Sequence, residues 1–170
     1  MSAIVTLFSS EQYPMGRFRR QKLAYLLHRH TKQTADGFLK KAAGPYNPNI
    51  RYKDEKIAIT SKYVKEQGKG KFIKGEKYTE AMKYFTDWYG EETITWINQF
   101  KFRKNNDLEV LATVAEAVKE IMGANNYPTL TAVKKIINDN AEWKPKLVKD
   151  FFSDKAIQSA IDESIKLFHQ

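Results

Sequence analysis

Apolar residues return at helical spacing along most of this chain, and the gaps between them divide it into elements. In RFRRQKLAYLLHRHTK, beginning at Arg17, the residues Leu23, Leu26 and Leu27 recur three and four apart while Arg17, Arg20 and Lys22 crowd the start. That spacing predicts an amphipathic helix with a basic first turn. TADGFLKKAAGPY follows, with Phe38, Leu39 and Ala42 on one helical face and Gly44-Pro45 as a left-handed stop, so a short second helix is expected there. In NPNIRYKDEKIAITSKYV, turn residues precede Asp54, a candidate N-cap ahead of Ile57 and Ile59, which gives a third short helix. The period then changes in YVKEQGKGKFIKGEKY, residues 63–78. Tyr63 and Val64 before the glycines and Phe72 and Ile73 after them fit two short strands joined by a glycine loop, from which Lys65, Lys69, Lys71 and Lys74 project. A mobile lysine-bearing loop is the competing reading. Three short helices followed by a basic hairpin is the order of a winged helix.

Beyond Thr79 the pattern is steadily helical. TEAMKYFTDWYG places Ala81, Tyr84, Phe85 and Trp88 on one face, with Thr79 as its cap and Gly90 as its stop. Ile94, Ile97 and Phe100 mark the next helix. NNDLEVLATVAEAVKEIMG is the clearest element: Asn106 and Glu109 have capping-box spacing, Leu108, Leu111, Ala112, Ala115 and Val118 form an apolar face, and Gly123 ends it. Two further helices follow, one carrying Leu130, Val133, Ile136 and Ile137 and the other Ile157, Ala160, Ile161 and Phe168. The expected class is mainly α: one helical domain over residues 1–170, with a basic, winged-helix-like part at 16–78, one short β-hairpin, and a helical part at 79–170. Neither an internal repeat nor a low-complexity tract interrupts it.

Charge sharpens this picture. The chain carries 29 Lys/Arg and 20 Asp/Glu, a formal net charge of +9. Residues 16–77 hold 17 of those cations against 5 carboxylates, while the remainder is slightly acidic. A basic block of this kind is the electrostatic footprint expected for a polyanion, provided the cations gather on one face when the chain folds; the plainer reading is a solvated lysine surface. With 42% hydrophobic residues the chain has the apolar content to fold. The lack of cysteine removes disulfides, thiolate zinc sites and thiol nucleophiles and suits a reducing cytoplasm. No apolar run approaches the roughly 20 residues that span a bilayer, so a membrane partner is not expected.

Candidate chemistry is thin. His28 and His30 lie two apart on a predicted helix and point in different directions, and His169 sits at the end of the chain, so no metal or general-base site is read from them. Asp54, Glu55 and Lys56 match the acid-lysine pattern of metal-dependent nucleases only weakly, because turn-then-helix flanks replace the strands such sites need. GKGKFIKG lacks the spacing of a phosphate-binding loop. The expectation is therefore no catalytic residue, no metal and no cofactor. What remains is a phosphate-contacting set: Arg17, Arg19, Arg20 and Lys22 at the start of the first predicted helix, Lys40 and Lys41 in the second, and Lys65, Lys69, Lys71 and Lys74 on the hairpin. Tyr25, Tyr46, Tyr63 and Phe72 read first as core residues, with stacking on bases as the lesser alternative.

Four stretches taken together, KLAYLLHRH at 22–30, AAGPYNP at 42–48, YFTDWYG at 84–90 and FRKNNDLEVLATV at 102–114, resemble in their order the accessory helical domain of bacterial type I restriction-modification subunits. That domain is found C-terminal to the specificity subunit and in related stand-alone proteins. The likeness spans roughly residues 16–120. It implies a non-catalytic module that assists DNA engagement or assembly in a restriction-modification or phage-defence complex, with DNA and the other subunits as partners. A fainter likeness of KLAYLL followed by GPY to antitoxin-type domains implies the alternative, a protein-interaction module that docks an acidic partner.

Overall fold

A computed structural model describes residues 1–32 and 37–169. In chain order its elements are α1 (Ser2–Phe8), β1 (Met15–Gly16), α2 (Arg17–His30), β2 (Leu39–Lys41), β3 (Gly44–Tyr46), a π-helical turn (Ile50–Asp54) that runs straight into α3 (Glu55–Thr60), β4 (Val64–Glu66), β5 (Lys71–Lys74), α4 (Tyr78–Tyr89), α5 (Glu91–Asn98), α6 (Asn105–Gly123), α7 (Leu130–Asp139) and α8 (Asp154–Phe168). Two 3-10 turns, Lys144–Val148 and Asp150–Phe152, join the last two helices. The class is mainly α, with small antiparallel sheets. Contacts divide the chain into two units, one formed by Met1–Gly37 and Asn47–Arg103, the other by Phe38–Tyr46 and Lys104–Gln170.

In the first unit, α2 is not the amphipathic helix its spacing predicts. Eight consecutive residues, Arg20 to Leu27, are buried, so the helix is enclosed on all sides. Its polar members find partners inside: the Gln21 amide donates to the Asn47 carbonyl at 2.9 Å and accepts from the Asn47 N–H at 3.0 Å, which satisfies the buried backbone there. The hairpin read at 63–78 is present. β4 and β5 pair antiparallel with Val64 opposite Lys74 and Glu66 opposite Phe72, and β1 adds to the other edge of β5, giving the order β1-β5-β4. Phe72 and Met15, opposite each other, are buried.

Two glycines make this hairpin possible. Gly70 has φ +74, and a Cβ there would meet Arg17 Nη1 at 2.5 Å, so the loop turns tightly over an arginine of α2. Gly75, at the base, lies outside the left-handed region and is needed for space alone: a Cβ would stand 2.3 Å from the Lys62 carbonyl oxygen, a backbone atom that cannot swing away. Gly75→Ala is expected to lose about 3 kcal/mol, the upper end of ordinary overpacking, as a lower midpoint with unchanged slope in urea unfolding. A midpoint within error of the parent would contradict that packing.

The third predicted helix is present as α3, but Asp54 is itself helical and makes no side-chain cap. Ile57 and Ile59 are exposed, because Glu55 and Ala58 occupy the inner side. Nor does Thr79 cap α4, which begins at Tyr78. Gly90 ends α4 as expected.

The second unit is built on α6, packed against α7 and α8. Leu108, Leu111, Ala112, Ala115 and Val118 are all buried, as their spacing requires. The capping box does not form, since Glu109 is drawn inward to Lys146 and Lys149. α7 and α8 appear where expected, capped by Thr129 and Ser153. The second predicted helix is overturned in its described part: Leu39 to Tyr46 form the β2–β3 hairpin, and residues 33–36 of that prediction lie outside the described residues. Three-residue strands carry almost no periodic signal, and a distant contact holds this pair, with the buried Trp143 indole N–H donating to the Lys41 carbonyl at 3.0 Å.

Candidate nucleic-acid interface

The ten cations expected to contact phosphate separate into three groups by what holds them. The first surrounds Glu55. Arg17 grips that carboxylate with two N–H groups, Nη2 to Oε1 at 2.8 Å and Nε to Oε2 at 3.1 Å. Arg20 Nη2 reaches Oε2 at 2.6 Å, and Arg51 Nη1 reaches Oε1 at 3.1 Å. Burial alone would push the Glu55 carboxyl up, but the Arg17 and Arg20 hydrogen bonds and charges outweigh it and leave the group below its ordinary value. Arg20 is 0% exposed and lies over the Phe72 ring at 4.9 Å. Lys22 is 1% exposed, with its ammonium 5.2 Å from the Phe18 ring. Arg19 donates to the carbonyls of Arg103 at 2.5 Å, Lys101 at 2.9 Å and Phe100 at 3.2 Å, closing the turn after α5. The expectation that the start of this helix faces phosphate is thereby corrected for Arg20 and Lys22, which are interior; Arg17 and Arg19 are half-buried and bonded to protein oxygens. No local signal reveals this, because the organising carboxylate lies 35 residues beyond Arg20.

The second population belongs to the other unit. Lys40 pairs with Glu120 at 2.5 Å and sits 5.0 Å above the Trp143 ring, and Lys41 reaches Glu142 at 3.4 Å.

The third population is open to solvent and lies in the first unit. Lys65, Lys69, Lys71 and Lys74 are all exposed on the hairpin. Register places Lys65 and Lys71 on the face that also carries Ile73, with Lys74 on the opposite face, its ammonium 4.4 Å from the Tyr78 ring. The single acid of the hairpin, Glu66, accepts the Gly70 N–H at 2.8 Å and stands 3.8 Å from Arg17, so its charge is directed toward the protein. The π turn and α3 add residues outside the expected phosphate-contacting set: Lys53 and Lys56 are exposed, together with Tyr52 at 68% and Ile57 at 52%. The one available signal was the inverted pattern of IRYKDEKIAIT, in which an acid replaces an isoleucine at the inner position.

Of the stacking candidates, Tyr25 and Phe72 are core residues with no exposed surface, and the Tyr63 hydroxyl donates to Glu80 at 3.0 Å. His30 stacks on Trp96 at 3.9 Å, and burial lowers its pKa and that of His28, which keeps both neutral near pH 7. Among the described residues no three His, Asp or Glu side chains converge as metal ligands, and no helix is long and apolar enough to cross a membrane. No family model matches the chain, and no curated protein matches its sequence.

Proposed function

We propose that this protein is a non-catalytic module that binds the phosphate backbone of DNA through the hairpin lysines Lys65, Lys69, Lys71 and Lys74, with Lys53 and Lys56 of the helix before them, in a restriction-modification or phage-defence assembly. The observation that carries this reading is the division of the cations. On α2, Arg17 and Arg20 are held by Glu55, Arg19 by backbone carbonyls and Lys22 is buried, whereas the lysines of the hairpin and α3 stand in water with no carboxylate salt bridge among the described residues. The order helix, strand, helix, helix, hairpin, with β5 between β1 and β4, supports a winged-helix-like reading of the first unit.

Phosphate contacts release counterions, so affinity falls with salt at a slope of about −0.9 per phosphate neutralised. Anisotropy titrations of a duplex at several salt concentrations are expected to give a steep negative slope. Reversing Lys65, Lys69, Lys71 and Lys74 to glutamate should flatten it by about 3 to 4. A slope untouched by those reversals sinks the reading. The exposed Ile57 and Tyr52 beside Lys53 and Lys56 favour one alternative, a face that docks an acidic subunit. That alternative is distinguished by a purified acidic partner bound through Ile57 by a protein with no measurable DNA affinity.

A further inference from the structure

The strongest unexplained surface lies on α4. Its apolar stripe, Ala81, Tyr84, Phe85 and Trp88, has the spacing that one helix presents to another, yet only Ala81 is buried. Tyr84 is 58% exposed and Trp88 77%. With Tyr63, Tyr89 and the first residues of α1, the stripe lines an open groove of about 330 Å³. A large contiguous aromatic surface left in water marks a place where another molecule sits. The surrounding charge says what kind. Although the whole chain is at +9, residues 76–92 carry five acids against two lysines. Glu76 pairs with Lys62 and Asp87 with Lys83, while Glu80 accepts the Tyr63 hydroxyl and Glu91 and Glu92 are exposed just beyond Gly90. The groove therefore has an aromatic floor, with Glu80 bonded to its Tyr63 and Glu91 and Glu92 following its Tyr89 in sequence.

We infer that this groove takes an amphipathic helix from a partner protein, whose apolar face lies on Tyr84 and Trp88 and whose flanking lysines or arginines meet Glu80, Glu91 and Glu92. A helix fits because the stripe on α4 has the three- and four-residue spacing by which one helix packs on another. The basic flanks follow from charge complementarity and set this site apart from the lysine face, which attracts acids.

The test uses the full chain and two synthetic amphipathic peptides of the same leucine pattern, one flanked by lysine and the other by glutamate, followed by fluorescence titration. The lysine peptide is expected to bind about tenfold tighter or better, against the trend that the net charge of the chain would impose. Trp88→Ala and Tyr84→Ala, at exposed positions that should leave folding intact, are each expected to weaken it by about tenfold. Glu80→Lys combined with Glu91→Lys should reverse the preference between the peptides. Equal or tighter binding of the glutamate peptide overturns the proposal, and so does binding indifferent to Trp88. Self-association that Trp88→Ala abolishes overturns it in favour of a second copy of this chain. Duplex DNA affinity is expected to be unchanged in Trp88→Ala, so failure of this proposal and failure of the DNA reading are separable; DNA that displaces the lysine peptide counts against a distinct site.

Discussion

Glu55→Ala is expected to destabilise the protein by about 3–5 kcal/mol, the usual loss when one partner of a buried ion pair is removed. The reason lies in what is left behind. Arg20 has no exposed surface, and two of its nitrogens, Nε and Nη1, already lack a hydrogen-bond partner within the protein. Deleting Glu55 takes away its only carboxylate among the described residues and leaves three guanidiniums, from Arg17, Arg20 and Arg51, around the vacated position. Urea unfolding of the variant against the parent measures the loss, and replacing Arg20 by methionine in the same background is expected to recover part of it. A loss under about 1 kcal/mol, the range of an exposed pair, would contradict the burial described here. The same carboxylate sets an acid limit. Its folded pKa lies below the unfolded value, so its contribution is full above about pH 4.3 and is lost as pH falls through the lower folded value. Stability of the parent should therefore decline on that acid limb, and Glu55→Ala should show a shallower decline.

Glu109→Ala should produce a loss of similar size, about 3–5 kcal/mol, in the second unit, with a different pH signature. Lys146 is buried beside the Phe152 ring, and its ammonium is held by Glu109 together with that of Lys149. Burial pushes the Lys146 pKa down and the Glu109 hydrogen bond pushes it back up, so removing Glu109 leaves burial unopposed apart from Lys149, which lowers it further. A lysine whose folded pKa lies below its unfolded one makes stability rise with pH between the two values. The variant is expected to gain stability as pH rises from the lowered folded value of Lys146 toward the ordinary lysine value of about 10.4, while the parent changes less. Glu109→Ala with no such recovery would mean that Lys146 is not confined as described.

Elements held by their own periodicity were legible before any coordinates. Leu108, Leu111, Ala112, Ala115 and Val118 outline α6 because a buried helix face needs apolar residues at three- and four-residue spacing. The hairpin at 64–74 was legible because glycines and β-branched or aromatic residues bracket it. Elements held by distant partners were not. Leu39 to Tyr46 form strands whose stability draws on Trp143, about a hundred residues away in sequence. The candidate site divides along the same line. The four hairpin lysines are exposed where local pattern put them, while Arg20 and Lys22 went inside because a carboxylate and an aromatic ring, neither visible in the helix pattern, compensate the burial of their charge. Lys53 and Lys56 stand outside the expected phosphate-contacting set, and nothing in the local pattern but its acid at position 55 shows that the fold gives the inner side of α3 to Glu55 and Ala58.

The central claim is that the uncommitted lysines of the hairpin and of the helix before it form the surface that meets DNA. Backbone amide shifts followed by nuclear magnetic resonance during titration with a short duplex test it most directly. The expected result is that perturbations concentrate at residues 53–57 and 65–74 and fade as salt is raised, with residues 81–92 and α8 unaffected. Perturbations concentrated on α4 or in the second unit, or none at low salt, would contradict it.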